Sequence, residues 1–409
     1  MSEIAARTPR PFATRLSTIQ PSATLAIGAR ANAMRAQGID VISLSVGEPD
    51  FDTPMHIQDA IVSAVREGYS RYTPTPGLPA VRACVARHSE RRRKIAHEPA
   101  EVIVTSGSKA ALFNLALALY EPGEEVLIPT PCWVSYPEQV RFAGATPVFV
   151  PTTEETSFRV DPALVAERIT ERSKAIILCA PSNPTGAGIS DEDLRGIADL
   201  ALRHGLWVIS DEIYTSLVYG GYVQRSILEV APELRDRTVV VDGLSKTYAM
   251  TGYRLGWILA PRNLATACDT LQSQSTSHAT AAVQMAALAA LEGDATPVEV
   301  MRRVFEERRD RLLAGLARIP GITCAKPVGA FYAFPSVRGL LGKQTPDGKR
   351  LTSGTDVAND WLDRARVAVV PGAPFEAPDH VRLSYAAATE RIDEALRRIA
   401  DAVSGLRSP

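Results

Sequence analysis

The feature that most constrains this chain is a series of short apolar runs that do not alternate with polar residues. They are "EVIVT" (101–105), "EVLIP" (125–129), "TPVFV" (146–150), "KAIILC" (174–179), "LWVIS" (206–210), "TVVVD" (238–242) and "RLGWIL" (254–259). A strand wetted on one face alternates apolar and polar residues, whereas a strand buried on both faces does not. Helical patterns lie between the runs. In one of them Ser190 can cap the start, Asp191, Glu192 and Asp193 fill the first turn, Leu194, Ile197, Ala198 and Ala201 form an inner stripe, and Gly205 ends it. Repeated strand–helix units predict an α/β fold, a mainly parallel seven-stranded sheet sandwiched by helices.

The texture changes toward the C-terminus. Residues 299–316 read as a long charged amphipathic helix, and "GAFYAFPSV" and "VAVVPG" as short strands. "RGLLGKQTPDGKRLTSGT" reads as a loop, and "ERIDEALRRIADAVSGL" as a final helix with Ile392, Ala395, Leu396 and Ile399 inward. A chain of 409 residues is too long for one ordinary core. We expect a large domain over 55–300 and a smaller α+β domain over 301–409, which the N-terminal segment 1–54 joins while also contributing to the cleft.

Several function classes are disfavoured. A net charge of −1 creates no basic field for nucleic acid or anionic lipid. The most apolar helical stretch, "ATAAVQMAALAALEG", is too short and too rich in Ala to span a bilayer, and "MSEIAARTPRPFATRL" lacks the apolar centre of a signal peptide. The five cysteines (Cys84, Cys132, Cys179, Cys268 and Cys324) are odd in number and scattered, without metal or disulfide spacing. They fit a reducing compartment, so we expect a cytoplasmic protein without a metal site.

In open α/β sheets, ligands bind outside the carboxyl ends of the strands. The first run is followed by Ser106, Gly107, Ser108 and Lys109, which open a helix, and the second by Trp133. The fourth leads to Asn183, the fifth to Asp211 and Tyr214, and the sixth to Ser245 and Lys246. Each has an ordinary explanation alone: a helix start, a core aromatic, a turn, a solvated lysine. "LWVISDE" resembles the acidic strand end of P-loop ATPases, but no G-x-x-x-x-G-K-[ST] loop accompanies it. Taken together, the set matches pyridoxal phosphate, whose aldehyde forms a Schiff base with a lysine and whose pyridine nitrogen takes a carboxylate partner. Asp211 would keep that nitrogen protonated, so that the ring accepts the electron pair left when the substrate Cα loses its proton. Asn183 and Tyr214 can hydrogen-bond the ring oxygen. Ser108, Ser245, Arg254 and backbone N–H groups can hold the phosphate.

The motifs that carry these residues resemble one family. "VGEPDFDTP" (46–54), "RYTPTPGLPAVR" (71–82), "PTPCWVSYPE" (129–138), "APSNPTG" (180–186) and "GLSKTYAMTGYRLG" (243–256) look like those of class I aminotransferases of the pyridoxal-phosphate fold type I, nearest to the bacterial and archaeal aspartate aminotransferases. The resemblance runs from "PSATLAI" (21–27) to "HVRLSYA" (380–386). It implies that Lys246 carries the cofactor and moves the proton between Cα and C4′, with Asp211 at the pyridine nitrogen and Trp133 stacked on the ring beside the substrate. Gly107, Ser108, Ser245 and Arg254 would hold the phosphate. Arg382 would clamp the substrate α-carboxylate, assisted by the Gly47 backbone and Asn183. Lys109 would add to the phosphate's field or reach the distal carboxylate of a diacid. Tyr72 would reach the phosphate of a neighbouring subunit, which makes a homodimer the expected unit. "VGEPDFDTP" would lie over the cleft and close on substrate. The implied reaction is ping-pong transfer of the amino group of aspartate to 2-oxoglutarate, with small amino and 2-oxo acids as partners.

Two departures bear on the substrate. Gln20 stands where many of these enzymes, including those that act on prephenate, have a lysine. No second arginine for a distal carboxylate is evident in "LQSQSTSHAT" (271–280). An aminotransferase for aromatic amino acids, alanine or prephenate is therefore the alternative, as is a lyase of the same fold, which would use the same cofactor residues. A DNA-binding regulator carrying such a domain is disfavoured, because no basic helix-turn-helix region precedes "VGEPDF".

Overall fold

The computed structural model describes residues 13–19 and 23–408. Seven strands form the main sheet: β1 (Val102–Thr105), β2 (Glu125–Thr130), β3 (Thr146–Pro151), β4 (Ser173–Cys179), β5 (Trp207–Asp211), β6 (Thr238–Gly243) and β7 (Gly256–Leu259). Their order is β1-β7-β6-β5-β4-β2-β3. β7 runs antiparallel to both of its neighbours, and the other pairings are parallel. Alternate residues of each strand feed two cores. Val240, Val208 and Ile176 pack on one face, and Val239, Val241, Ile209 and Ile177 on the other. Both faces being covered is why these runs show no polar alternation.

The helix Asp191–His204 starts and stops as expected. Ser190 Oγ accepts the Asp193 N–H at 3.1 Å, and Gly205 ends the helix at φ 69°. Such a cap is worth about 1 kcal/mol. The seventh strand begins at Gly256 and not at the expected Arg254, because Arg254 takes a positive φ of 56° and leaves the extended path.

A second core gathers Phe305, Leu312, Phe331, Trp361, Leu383, Ile392 and Ile399, together with Ile42 and Leu44 from the N-terminal segment. The helix expected from 299 begins earlier and spans Thr296–Leu316, with a proline in its first turn. The final helix, Thr389–Ser404, points Ile392, Ala395, Leu396 and Ile399 inward. "VAVVPG" is two strands in two sheets. Val367–Ala368 pairs with Ile42–Ser43, and Val370–Pro371 pairs with Val381–Ser384, whose other edge takes Tyr332–Ala333. Val369 lies between them, buried in the second core together with Val367. Among the described residues no helix is long and apolar enough to cross a membrane.

The helix Ser108–Leu119 presses its N-terminus onto the ends of β6 and β7, and two facing glycines make room for it. A Cβ at Gly256 would lie 2.5 Å from the Ser108 nitrogen, and one at Gly243 would lie 2.7 Å from Ser108 Oγ. Gly256→Ala must therefore push the helix start off the sheet. It should lower the unfolding free energy by about 1–3 kcal/mol, as overpacking does. Urea denaturation measures this, and an unchanged midpoint would show that the contact relaxes freely.

Candidate active site

The carboxyl ends of β1, β2, β4, β5 and β6 open into one cavity of about 780 Å³. Its lining includes Gly47, Ser108, Lys109, Trp133, Asn183, Asp211, Tyr214, Ser245, Lys246, Arg254 and Arg382, eleven of the residues expected at the site. Gly107 lies directly behind this lining. It caps the helix Ser108–Leu119 at φ 84°, and a Cβ there would meet Arg254 Nη2 at 2.6 Å. Tyr72 stands apart. It is 91% exposed, and its ring edge rests on His278 at 5.7 Å between centroids. Gln20 lies outside the described residues.

One end of the cavity is built for an anion. The free N–H groups of the helix start, Ser108, Ser245 and the Arg254 guanidinium meet there. Arg254 is tied back by Nη1, which donates to Thr251 O at 2.8 Å. Ser108 Oγ donates to the Asp242 carbonyl at 3.0 Å, which fixes the helix start to the end of β6.

At the floor, Asp211 ends β5, 4% exposed. It accepts the Tyr136 hydroxyl at 2.7 Å and the Ile213 N–H at 3.3 Å. Burial pushes its carboxyl up to about 6 against these two donors, with a smaller upward push from the carboxylates of Asp242 and Glu212. Lys246 retains some solvent contact in the cleft, but protein encloses it on most sides. Burial pushes its ammonium down to about 8. Nζ donates to the Gly47 carbonyl at 2.7 Å.

The opposite wall belongs to the second core. Arg382 donates from Nη1 to Asn183 Oδ1 and from Nη2 to Ser45 O, each at 3.0 Å, and its buried Nε has no hydrogen-bond partner among the described residues. The guanidinium lies 4.5 Å from the Tyr332 ring and 5.2 Å from the Phe375 ring. The Tyr214 and Tyr332 hydroxyls meet at 3.1 Å, and Asn183 Nδ2 donates to Tyr214 at 3.5 Å. On the rim, Lys109 Nζ sits 5.0 Å from the Trp133 ring centroid. Burial and the charge of Arg254 lower its pKa.

Sequence reasoning missed five contributors. Tyr136 lies three residues after Trp133, in the first turn of the helix Ser135–Phe142, and their rings meet edge to face at 5.3 Å. That spacing was a usable signal. Tyr332 sits in "GAFYAF", where nothing separates it from its core neighbours. Gly28, Ala29 and Asn32 reach the cavity from the helix Ala23–Ala36, which only tertiary packing brings there.

Residues 39–399 match the family "Aminotransferase class I and II". The chain is 45% identical to the aspartate aminotransferase of Geobacillus stearothermophilus, over 95% of this chain and 98% of that protein. It is 42% identical to a probable aspartate/prephenate aminotransferase of Aquifex aeolicus, over 96% of this chain and 98% of that one. The aspartate aminotransferase crystal structure from Rhizobium meliloti matches with a TM-score of 0.94 at 40% identity, covering 98% of this chain and 100% of that chain. The Thermus thermophilus aspartate aminotransferase with maleate matches at 0.90 and 40% identity, over 96% and 100%.

The low pKa of Lys246 has a stability consequence. Between about 8 and its ordinary value of 10.5, Lys246 is neutral in the fold and charged in the unfolded chain. The unfolded state then binds more protons, so stability gains with rising pH through this window. The apoprotein should therefore gain stability over Lys246→Met as pH climbs from 8 to 10.5. Urea midpoints of the two proteins across that range test it, and parallel curves would place the amine in an ordinary aqueous environment.

Proposed function

The chain belongs to the class I and II aminotransferase family, and from that premise we propose that it moves the amino group of aspartate to 2-oxoglutarate by a ping-pong reaction with pyridoxal 5′-phosphate as cofactor. One observation carries this reading. An enclosed amine, Lys246, and a buried carboxyl, Asp211, follow adjacent parallel strands into a single cavity beside a cluster of anion donors. Relatives named aspartate aminotransferase at 40–45% identity support the substrate. So does the Thermus thermophilus structure, whose maleate is a four-carbon diacid.

The residues fit the cofactor. Among the described residues Asp211 is buried with two neutral donors and no ion pair, so a protonated pyridine nitrogen would supply the charge it lacks. The missing side chain at Gly107 lets the Arg254 guanidinium lie against the helix start, where a phosphate meets both. Arg382 spends two of its five N–H donors on Asn183 and Ser45, which leaves donors on the same guanidinium for a carboxylate.

Bound there, pyridoxal 5′-phosphate supplies an electron sink for the substrate Cα and a carrier for the amino group. The side chains do the rest. Lys246 takes and returns a proton at Nζ, and its lowered pKa leaves a usable fraction of free amine near neutral pH. Asp211 holds the proton on the pyridine nitrogen, and Tyr136 fixes the direction of its carboxylate. Tyr214 and Asn183 would hydrogen-bond the ring oxygen, and Trp133 would cover the ring. Arg382 receives the α-carboxylate, with Asn183 and Gly47 alongside. Lys109 meets the distal carboxylate, the task for which no second arginine is available in 271–280. Tyr72, exposed in one chain, serves the phosphate of a second subunit in a homodimer.

Residues 301–409 with the segment 1–54 make up the smaller domain in this reading, and 55–300 the larger one. The helix Thr296–Leu316 is the link, because Val298 packs on the sheet core and Met301 and Phe305 on the second core. All five cysteines are free, which suits a cytoplasmic setting.

Mixing holoenzyme with aspartate alone should bleach the cofactor's visible absorbance and release one oxaloacetate per site, and 2-oxoglutarate should restore the colour. Continuous product release from aspartate without an acceptor would instead mark a lyase. Lys109→Ala should reduce efficiency with aspartate by about tenfold to a hundredfold, the worth of a hydrogen bond to a charged group, and should leave alanine almost untouched. Equal losses on both substrates would assign Lys109 to the phosphate.

A further inference from the structure

Arg93 is the last residue of the helix Pro79–Arg93, and its side chain is only 1% exposed. Its guanidinium reaches two carboxylates on different strand ends. Nε donates to Glu212 Oε2 at 2.6 Å, and Nη2 donates to Asp242 Oδ2 at 2.7 Å. The other oxygen of each carboxylate is also engaged. Glu212 Oε1 accepts the hydroxyls of Ser210 at 3.0 Å and Ser226 at 2.6 Å, and Asp242 Oδ1 accepts the Gly243 N–H at 2.7 Å. The guanidinium is thus a bridge between the ends of β5 and β6, just where their ladder finishes with the Glu212 N–H on Val241 O at 2.9 Å.

None of these three side chains lines the cavity. Their neighbours do. Successive residues of a strand point to opposite faces, so Asp211 enters the cleft while Glu212 turns away toward Arg93. Asp242 holds the helix start through its carbonyl, which accepts Ser108 Oγ at 3.0 Å, and the chain from Asp242 runs on to Ser245 and Lys246. Resting on the function proposed above, we propose that Arg93 is a positioning residue, which sets the spacing between Asp211 and Lys246 by clamping the two strand ends from the face opposite the cleft.

The physical need comes from the cofactor's shape. Its pyridine nitrogen and its aldehyde carbon are held at a fixed separation across one rigid ring. A carboxylate on one strand end and an amine beyond the next can meet both only if the two ends cannot slide. One ladder bond leaves freedom at a strand terminus, and a two-armed ionic bridge removes it. The bridge also offsets part of the negative charge that Asp242 and Glu212 bring to bear on Asp211.

The test compares wild type, Arg93→Met and Arg93→Lys as holoenzymes, using pyridoxal 5′-phosphate isotope-labelled at the ring nitrogen. Nuclear magnetic resonance of the label reads the partner of that nitrogen, and single-turnover mixing reads the rate with aspartate. Arg93→Met should shift the resonance toward that of an unprotonated ring and slow the single turnover by about tenfold to a hundredfold, the scale of a displacement near 1 Å. Apparent aspartate affinity should stay within about threefold, because Arg382 and Lys109 are untouched. Arg93→Lys keeps the charge but spans one carboxylate at a time, and should recover part of both signals. Should Arg93→Met fail to fold, Glu212→Gln, which weakens one arm only, should give the same shift with a smaller rate loss. A folded variant with wild-type resonance and rate would overturn the role of Arg93 and leave the proposed function standing. A wild-type protein that neither binds the cofactor nor turns over aspartate would overturn both, since the clamp would then have nothing to position.

Discussion

A carboxyl group inside a sheet that is apolar on both faces is unstable in its charged form unless a charge answers it. Asp211 is in that position, with Val208 and Ile209 of its own strand packed into the two cores. The local response is incomplete. Tyr136 and the Ile213 N–H donate to it, yet burial still holds the acid well above its usual range. The surroundings therefore favour any ligand that brings a cation to this point. The site is preorganised around a missing positive charge, and much of the nearby architecture keeps that need unmet by the protein itself. Arg93 is drawn off to Glu212 and Asp242, Arg382 to Asn183 and Ser45, and Lys246 to the Gly47 carbonyl.

The second core enters the site through a few contacts. Arg382 and Tyr332 come from neighbouring strands of its three-stranded sheet, and each touches a residue of the main sheet's rim, Asn183 and Tyr214 respectively. The segment after Ser45 lies between the two cores and is held from both. Thr251 donates to Glu48, and Arg308 pairs with Asp50 and stacks near Phe51. The cleft is thus closed on one side by polar ties that single side-chain rotations can undo, while the floor is fixed by strand pairing.

Much of this was legible in the sequence. Strands buried on both faces announce themselves by unbroken apolar runs, and all seven were read, with the seventh displaced only where Arg254 adopts a positive φ. Residues at strand ends could be placed because topology alone sends those ends to one rim. What escaped depended on distances that no local pattern encodes. Tyr136 has a spacing that points to it. Tyr332, Asn32 and Arg93 have none, and Arg93 least of all, since it ends the run Glu90-Arg91-Arg92-Arg93, whose composition looks like a wetted helix end. The split of "VAVVPG" between two sheets was equally hidden, because both halves are apolar and buried and only their partners differ.

The reversed direction of β7 governs how the site's parts travel together. Parallel neighbours need a crossover helix between them, whereas an antiparallel neighbour can be reached by one loop. The loop from Gly243 to Gly256 leaves and re-enters the sheet on the same rung, with those two residues paired, and it carries Ser245, Lys246, Thr251 and Arg254. The amine and the cation at the anion end are therefore parts of one short closed span. Slack cannot collect between them, as it could between groups on separate crossovers. Lengthening that span would detune both functions at once, whereas the long polar segment around Gly342–Gly348, remote from the cavity lining, can absorb change without touching either.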